Sequence, residues 1–192
     1  MGNVILDISV SLDGFVTAAN PRLGEGLGDD GEILHEWAFR SDDPRNHELL
    51  NQSAHLGALI AGRTTYDISI PWWQADGPTG AARIPVIVVS HTVPETLPEG
   101  GVYTFADSIE TAFARAQAAA GEKQVAIMGG ANIAQQFLKA GLVDEISLHQ
   151  APVIFGSGTQ LFENLGSGHI RLGTPEVVAT PESTHLRFRV IR

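Results

Sequence analysis

The sequence predicts a single α/β domain over residues 1–192, with a mainly parallel central sheet flanked by helices and completed by antiparallel strands toward the C-terminus. Three observations predict it. Apolar runs rich in β-branched residues at 3–11, 58–62, 84–90 and 124–128 read as strands covered on both faces. Stretches with helical spacing of apolar residues separate several of these runs. From residue 145 onward strand-like segments (145–156, 175–180, 183–192) succeed one another without an intervening helix. The last of them alternates Leu186, Phe188 and Val190 against His185, Arg187 and Arg189, the pattern of a half-exposed antiparallel strand.

In chain order, "NVILDISVS" opens the sheet and "EILHEWAF" and "HELLNQSAHL" read as helices before the second strand "ALIAG". The third strand is "IPVIVVS". "DSIETAFARAQAAA" follows as an alanine-rich helix, with Asp107 and Glu110 at capping-box spacing. The strand "QVAIM" runs into Gly129 and Gly130, and a helix from Ala131 closes at Gly141 with Lys139 in its last turn. The Gly- and Pro-rich pieces at 18–32 and 74–85 read as long loops within one domain.

Composition narrows the function. With 192 residues and 43% hydrophobic content, the chain is long enough for one sizeable core. The formal net charge of -10, with only 12 dispersed Lys and Arg, argues against a nucleic-acid surface. No apolar run approaches the roughly 20 residues that span a bilayer and no basic leader is seen, so no membrane partner and a cytoplasmic protein are expected. Zero cysteines remove disulfides, thiolate nucleophiles and thiolate metal sites, and agree with a reducing compartment.

Several motifs fail. Gly26, Gly28 and Gly31 have G-x-G-x-x-G spacing, but no strand precedes them and Asp29 and Asp30 would repel a pyrophosphate. "HEWAF" and "HELLN" lack the second histidine of a zinc helix, so no metal is expected. Neither a G-x-S-x-G elbow nor a P-loop is present.

Three strand ends remain that suit an anion. Gly62, Arg63, Thr64 and Thr65 follow the second strand, Ser90 and His91 the third, and Gly129, Gly130, Ala131, Asn132 and Ile133 the fourth. Helix N-termini with free N–H groups, a guanidinium fork and glycines without Cβ atoms favour a diphosphate. The carboxyl ends of parallel strands line one crevice, so all three can meet one elongated ligand. Each residue also has a plain structural role open to it: a tight turn, a cap or a solvated charge.

The motifs "SLDGFVTA", "ALIAGRTTYD", "IPVIVVSH" and "VAIMGGANIAQQFLKAGLVDEISLHQAPVIFGSGTQLF", in this order, resemble the dihydrofolate reductase superfamily, and most closely its branch with the reductase domain of riboflavin-biosynthesis proteins. The resemblance implies an NADPH-binding reductase acting on a small heterocyclic, pteridine- or pyrimidine-like substrate. It places Arg63, Ser90 and His91 at the adenosine 2′-phosphate, Thr64 and Thr65 at the pyrophosphate, and Ala131, Asn132 and Ile133 at the capping helix. It also implies a homodimer, and a Gly129–Gly130 peptide that is characteristically cis in dihydrofolate reductases. Asp13, in the shared S-x-D-G signature, is the expected catalytic residue near the nicotinamide, with a tight turn as its alternative. The proton donor stays open among Asp13, Glu48 and an ordered water. His149, and Trp72 with Trp73, have either a cleft-facing or a core role. A non-catalytic nucleotide-binding or regulatory module is the alternative function.

Overall fold

The computed structural model describes residues 2–192. Eleven strands and five α-helices follow in the order β1 (Val4–Val10), β2 (Phe15–Thr17), α1 (Glu36–Phe39), α2 (Pro44–Asn51), β3 (Leu56–Gly62), α3 (Arg63–Trp73), β4 (Val86–Val89) and β5 (Tyr103–Ala106). The rest are α4 (Ile109–Ala120), β6 (Gln124–Gly129), α5 (Ala131–Lys139), β7 (Glu145–Gln150), β8 (Thr159–Gln160), β9 (Arg171–Leu172), β10 (Glu176–Ala179) and β11 (Thr184–Ile191). The main sheet has the spatial order β10-β11-β7-β1-β6-β3-β4-β5. The six strands from β7 to β5 run parallel, and β11 and β10 close one side antiparallel. The single α/β domain anticipated from the strand pattern is what forms.

Alternation along β1 sends successive residues to opposite faces. Leu6 and Val10 join Ile60, Ile87 and Ile127 in the larger core, beneath α4 and α5, where Phe137 is fully buried. Ile5, Leu59, Val86 and Val88 face the other way, under Tyr66, Ile70 and Trp73 of α3. Asp7 and Ser9 share the parity of Ile5, so a strand that reads as apolar carries two polar side chains onto that second face.

Local differences from expectation have local causes. Residues 32–39 form a 3-10 turn (Gly31–His35) and then the short α1, not one helix. The second helical stretch begins earlier, at Pro44, because Pro fits the first helical position and Asp43 caps it by accepting from the Arg45 N–H at 2.9 Å. In α4 the cap is Ser108, whose hydroxyl accepts from the Thr111 N–H, instead of the Asp107 and Glu110 pair. The four-residue edge strand β5 had no clear signature in the sequence.

Candidate functional site

At the carboxyl ends of β3, β4 and β6 the chain leaves the sheet at Gly62, Val89 and Gly129, and two of these ends feed directly into helices. The N-cap of α3 is Gly62 and that of α5 is Gly130; neither helix start has a side-chain cap bond. The first-turn N–H groups of both helices therefore lack intrahelical acceptors and are free to meet an anion. The two helix starts adjoin. A Cβ on Gly62 would lie 2.9 Å from Cγ1 of Ile133, and one on Gly129 would lie 2.7 Å from Cγ2 of Thr65. A Cβ on Gly130 would approach Oγ1 of Thr65 to 3.2 Å.

The glycine pair thus has a steric reason: the α3 side chain of Thr65 packs where side chains on β6 would stand. Every peptide among the described residues is trans, the Gly129–Gly130 bond included, which corrects the cis expectation. Glycine here answers to the close passage of two elements, with register slipping in β6 beside them between the pairs Ile60–Ile127 and Ala61–Gly129. A Gly129→Ala variant is expected to be less stable than the wild type, and Thr65→Ala placed on top should restore part of the loss. Urea unfolding of the two variants checks this, and an unrestored double variant would show that the Thr65 contact is not the cause.

Arg63 bridges the next strand end. Its Nη1 donates to Ser90 Oγ at 3.3 Å and to the Thr92 carbonyl at 2.9 Å, while Nε donates to Asp67 at 2.7 Å. The structure thus brings Gly62, Arg63, Thr65, Ser90, Gly129, Gly130, Ala131 and Ile133 to one rim. Thr64, His91 and Asn132 are exposed around it. His91 makes no hydrogen bond among the described residues, and Asn132 is engaged by Gln136 of its own helix at 2.6 Å.

Asp13 sits in the turn between β1 and β2, next to Gly14 at φ 87. Its carboxylate accepts from Ser11 Oγ at 2.5 Å, from the Phe155 N–H at 3.2 Å and from the Gly156 N–H at 2.8 Å. The Ser11 hydroxyl first, and then those amides, outweigh desolvation and hold its carboxyl below the usual range. A carboxylate held in this way anchors the 155–156 loop and keeps its charge. Glu48 is exposed on α2. Trp72 is 62% exposed, whereas Trp73 packs against the second core, so neither walls the cleft described next.

The polar residues of the second face form a connected chain across β1, β7 and β11. Sheet register sets Ser9 beside His149 and His149 beside His185, with Asp7 and Ser147 one pleat away. His149 Nε2 lies 2.9 Å from Asp7 Oδ1, and His149 Nδ1 lies 2.7 Å from His185 Nδ1. His185 Nε2 reaches Asn46 Oδ1 of α2 at 2.8 Å. Trp37 of α1 stacks on His149 with ring centroids 4.1 Å apart, and its indole N–H donates to Ser9 Oγ at 3.0 Å. Desolvation pushes the Asp7 carboxyl up, but the hydrogen bond and charge of His149, with the Ser147 hydroxyl and Arg187, hold it below its usual value. Burial, and then repulsion from His149, pushes His185 down to about 4. Burial also lowers His35. A cleft of about 100 Å³ opens onto Asp7, Ser147, His149 and Arg187 under Leu49 and Leu50 of α2.

Of this group only His149 was singled out from the sequence, without a partner; Asp7, Trp37, Asn46 and His185 were missed. The available signal was polar residues at alternate positions of strands that otherwise read as buried, since buried polar groups require partners. Among the described residues, no group of three or more His, Cys, Asp or Glu is arranged to hold a metal ion, and no helix is long and apolar enough to cross a membrane.

A mainly parallel sheet with two uncapped helix starts at its carboxyl rim, closed by antiparallel strands, defines an open α/β class with one crevice at its strand ends. The chain belongs to the RibD C-terminal domain family, which matches residues 3–186, and so to the riboflavin-biosynthesis reductase-like branch of the dihydrofolate reductase superfamily. It is 28% identical over 170 residues to the uncharacterised protein YyaP of Bacillus subtilis (strain 168), covering 83% of this chain and 79% of that one. A putative riboflavin biosynthesis protein from Shewanella sp. PV-4 superposes with TM-score 0.69 at 25% identity over 100% of both chains. A diaminohydroxyphosphoribosylaminopyrimidine deaminase/5-amino-6-(5-phosphoribosylamino)uracil reductase from Thermotoga maritima gives TM-score 0.68 at 14% identity. This chain spans 57% of that longer protein, with 99% of its own length covered. A pyrimidine reductase-like protein from Corynebacterium diphtheriae gives TM-score 0.64 at 18% identity, over 100% of this chain and 92% of that one. At those last two identities the likeness is one of fold.

Proposed function

We propose that this protein is an NADPH-dependent reductase that passes hydride to a small heterocyclic acceptor of pteridine or pyrimidine type. The observation that carries it is the pair of adjoining, uncapped helix N-termini at Gly62 and Gly130, flanked by the Arg63 guanidinium. Backbone amides there would hold the diphosphate, and Arg63 with Ser90 the 2′-phosphate. Thr65 would fix the spacing of the two helix starts. The bound nicotinamide supplies the hydride; the chain supplies position and a water-poor setting. Family membership supports the same reaction class.

Arg63 is already paired with Asp67 and Thr92, so an incoming phosphate has to compete for it. The wild type is expected to bind NADPH more tightly than NADH. Removing one charge-assisted bond, worth about 1.5–3 kcal/mol, should cost Arg63→Ala roughly 10- to 100-fold in NADPH affinity and little for NADH. Intrinsic-fluorescence titration of both cofactors tests it; equal affinities in the wild type would defeat the 2′-phosphate assignment. The homodimer implied by the family would use the sheet edge at β10, where Val177 is 57% exposed.

A further inference from the structure

The hydrogen-bond chain on the second face fixes a proton count. Asn46 Nδ2 points at Ser41 Oγ (2.8 Å) and at the Glu182 carboxylate (3.1 Å), so its Oδ1 is the atom that faces His185 and must accept. His185 Nε2 therefore carries a proton. One proton must also lie between the two Nδ1 atoms, because two bare lone pairs at 2.7 Å repel. A third must lie between His149 Nε2 and the Asp7 carboxylate. Asp7, His149 and His185 together thus hold three protons and no net charge, whether as carboxylate with one imidazolium or as carboxylic acid with two neutral imidazoles. Passing between these forms moves protons along existing hydrogen bonds and shifts no heavy atom. Burial keeps His185 neutral, and the Trp37 ring stacks on His149.

We infer that Asp7, His149 and His185 form a one-proton store that Asp7 delivers to a ring nitrogen of a planar heterocycle seated in the adjoining cleft. The Asp7 side chain is 42% exposed while His149 beside it is 7% exposed, so the chain is sealed at one end and open at the cleft. This rests on the reductase function proposed above and adds the acid that it lacks. In the reductive step the proton leaves the Asp7 carboxyl for the nitrogen of the acceptor C=N bond, whose carbon would take the hydride that a nicotinamide coenzyme supplies when bound. His149 Nε2 is left unprotonated or the Nδ1 bridge empty, a state unfavourable enough to recover a proton from solvent. Asp7 is the catalytic residue; His149 and His185 are positioning residues. The cleft is smaller than the about 300 Å³ at which ligand pockets begin, so binding has to move the α1–α2 segment outward.

Groups facing the chain set its pH response. Arg187, bound to Glu145 at 2.6 Å, and Ser147 favour the Asp7 anion. His35 from the 31–35 turn lies close enough to feel the charge of His149, and Asp43 from the loop before α2 favours a charged His185. Glu182 acts through Asn46.

The test has two parts. In wild-type protein labelled at histidine and aspartate, NMR at neutral pH counts protons on the four ring nitrogens and reads the Asp7 carboxyl carbon. Three protons in total, with a far-downfield bridging signal lost in His149→Gln and in His185→Gln, are expected; two protons with an ionised Asp7 would overturn the store. NADPH oxidation is then followed with dihydrofolate and with a quinonoid dihydropterin, acceptors that carry a ring C=N bond. Asp7→Asn should lower kcat about 100-fold with a smaller change in KM, as loss of a general acid does. His185→Gln should shift the pH profile of kcat with KM kept, which a merely structural histidine would not do. An Asp7→Asn enzyme with wild-type kcat and pH profile overturns proton delivery. A wild type that oxidises NADPH with neither acceptor counts against the reductase function, and the proton count alone then decides the store.

Discussion

Truncating Phe137 to alanine is expected to destabilise the protein by about 3–5 kcal/mol, a large share of the stability of an ordinary domain. Phe137 is fully buried at the centre of the α5 face, in the core that also takes Leu6, Ile60 and Ile127 from three neighbouring strands. Alanine would leave a void lined by stiff, close-packed side chains that cannot collapse into it. In urea unfolding the midpoint should fall with the slope unchanged. A loss under about 1 kcal/mol would mean that α5 is not held to the sheet by this residue. The consequence reaches the rim, because the same helix presents the Gly130 N-terminus.

Acidification from pH 6.5 toward 4 is expected to weaken the fold through His185. In the unfolded chain His185 has the ordinary value of 6.5, and in the fold burial and then His149 bring it to about 4. Between those values the unfolded state takes the proton first, so stability falls as pH falls. Because His185 is only 4% exposed, the full effect is on the order of 3 kcal/mol. Asp7, with its value lowered, adds a separate loss only below the ordinary carboxylate value of 3.8. Thermal melts at a series of pH values should show the slope, and His185→Gln should flatten most of it. His35, also lowered by burial, accounts for a residual slope in that variant. Unchanged slopes in the variant would move the origin away from the histidine chain.

Much of this was legible along the chain. Apolar runs placed β1, β3, β4 and β6, the alternation at the end placed β11, and Gly141 marked the close of α5. The rim itself was legible, because glycine and arginine stand where β3 and β6 end. What escaped was short or divided: β5 spans four residues, and the helical pattern at 32–39 splits into a 3-10 turn and α1. The polar chain escaped for another reason. Asp7 and His149 are 142 positions apart and His149 and His185 are 36 apart, and nothing near any of them in sequence announces the pairing.

The sequence by itself determined the class of fold, the strand ends that suit an anion and the family to which the chain belongs, because each follows from short-range periodicity or from contiguous motifs. Only the tertiary structure decided that Thr65, not a cis peptide, explains the glycine pair, that Asp13 anchors a loop, and that Asp7, His149 and His185 form one hydrogen-bonded row. The physical reason is sheet order: β7 and β11, late in the chain, lie side by side next to β1, and hydrogen bonds across that row depend on register that no single strand encodes.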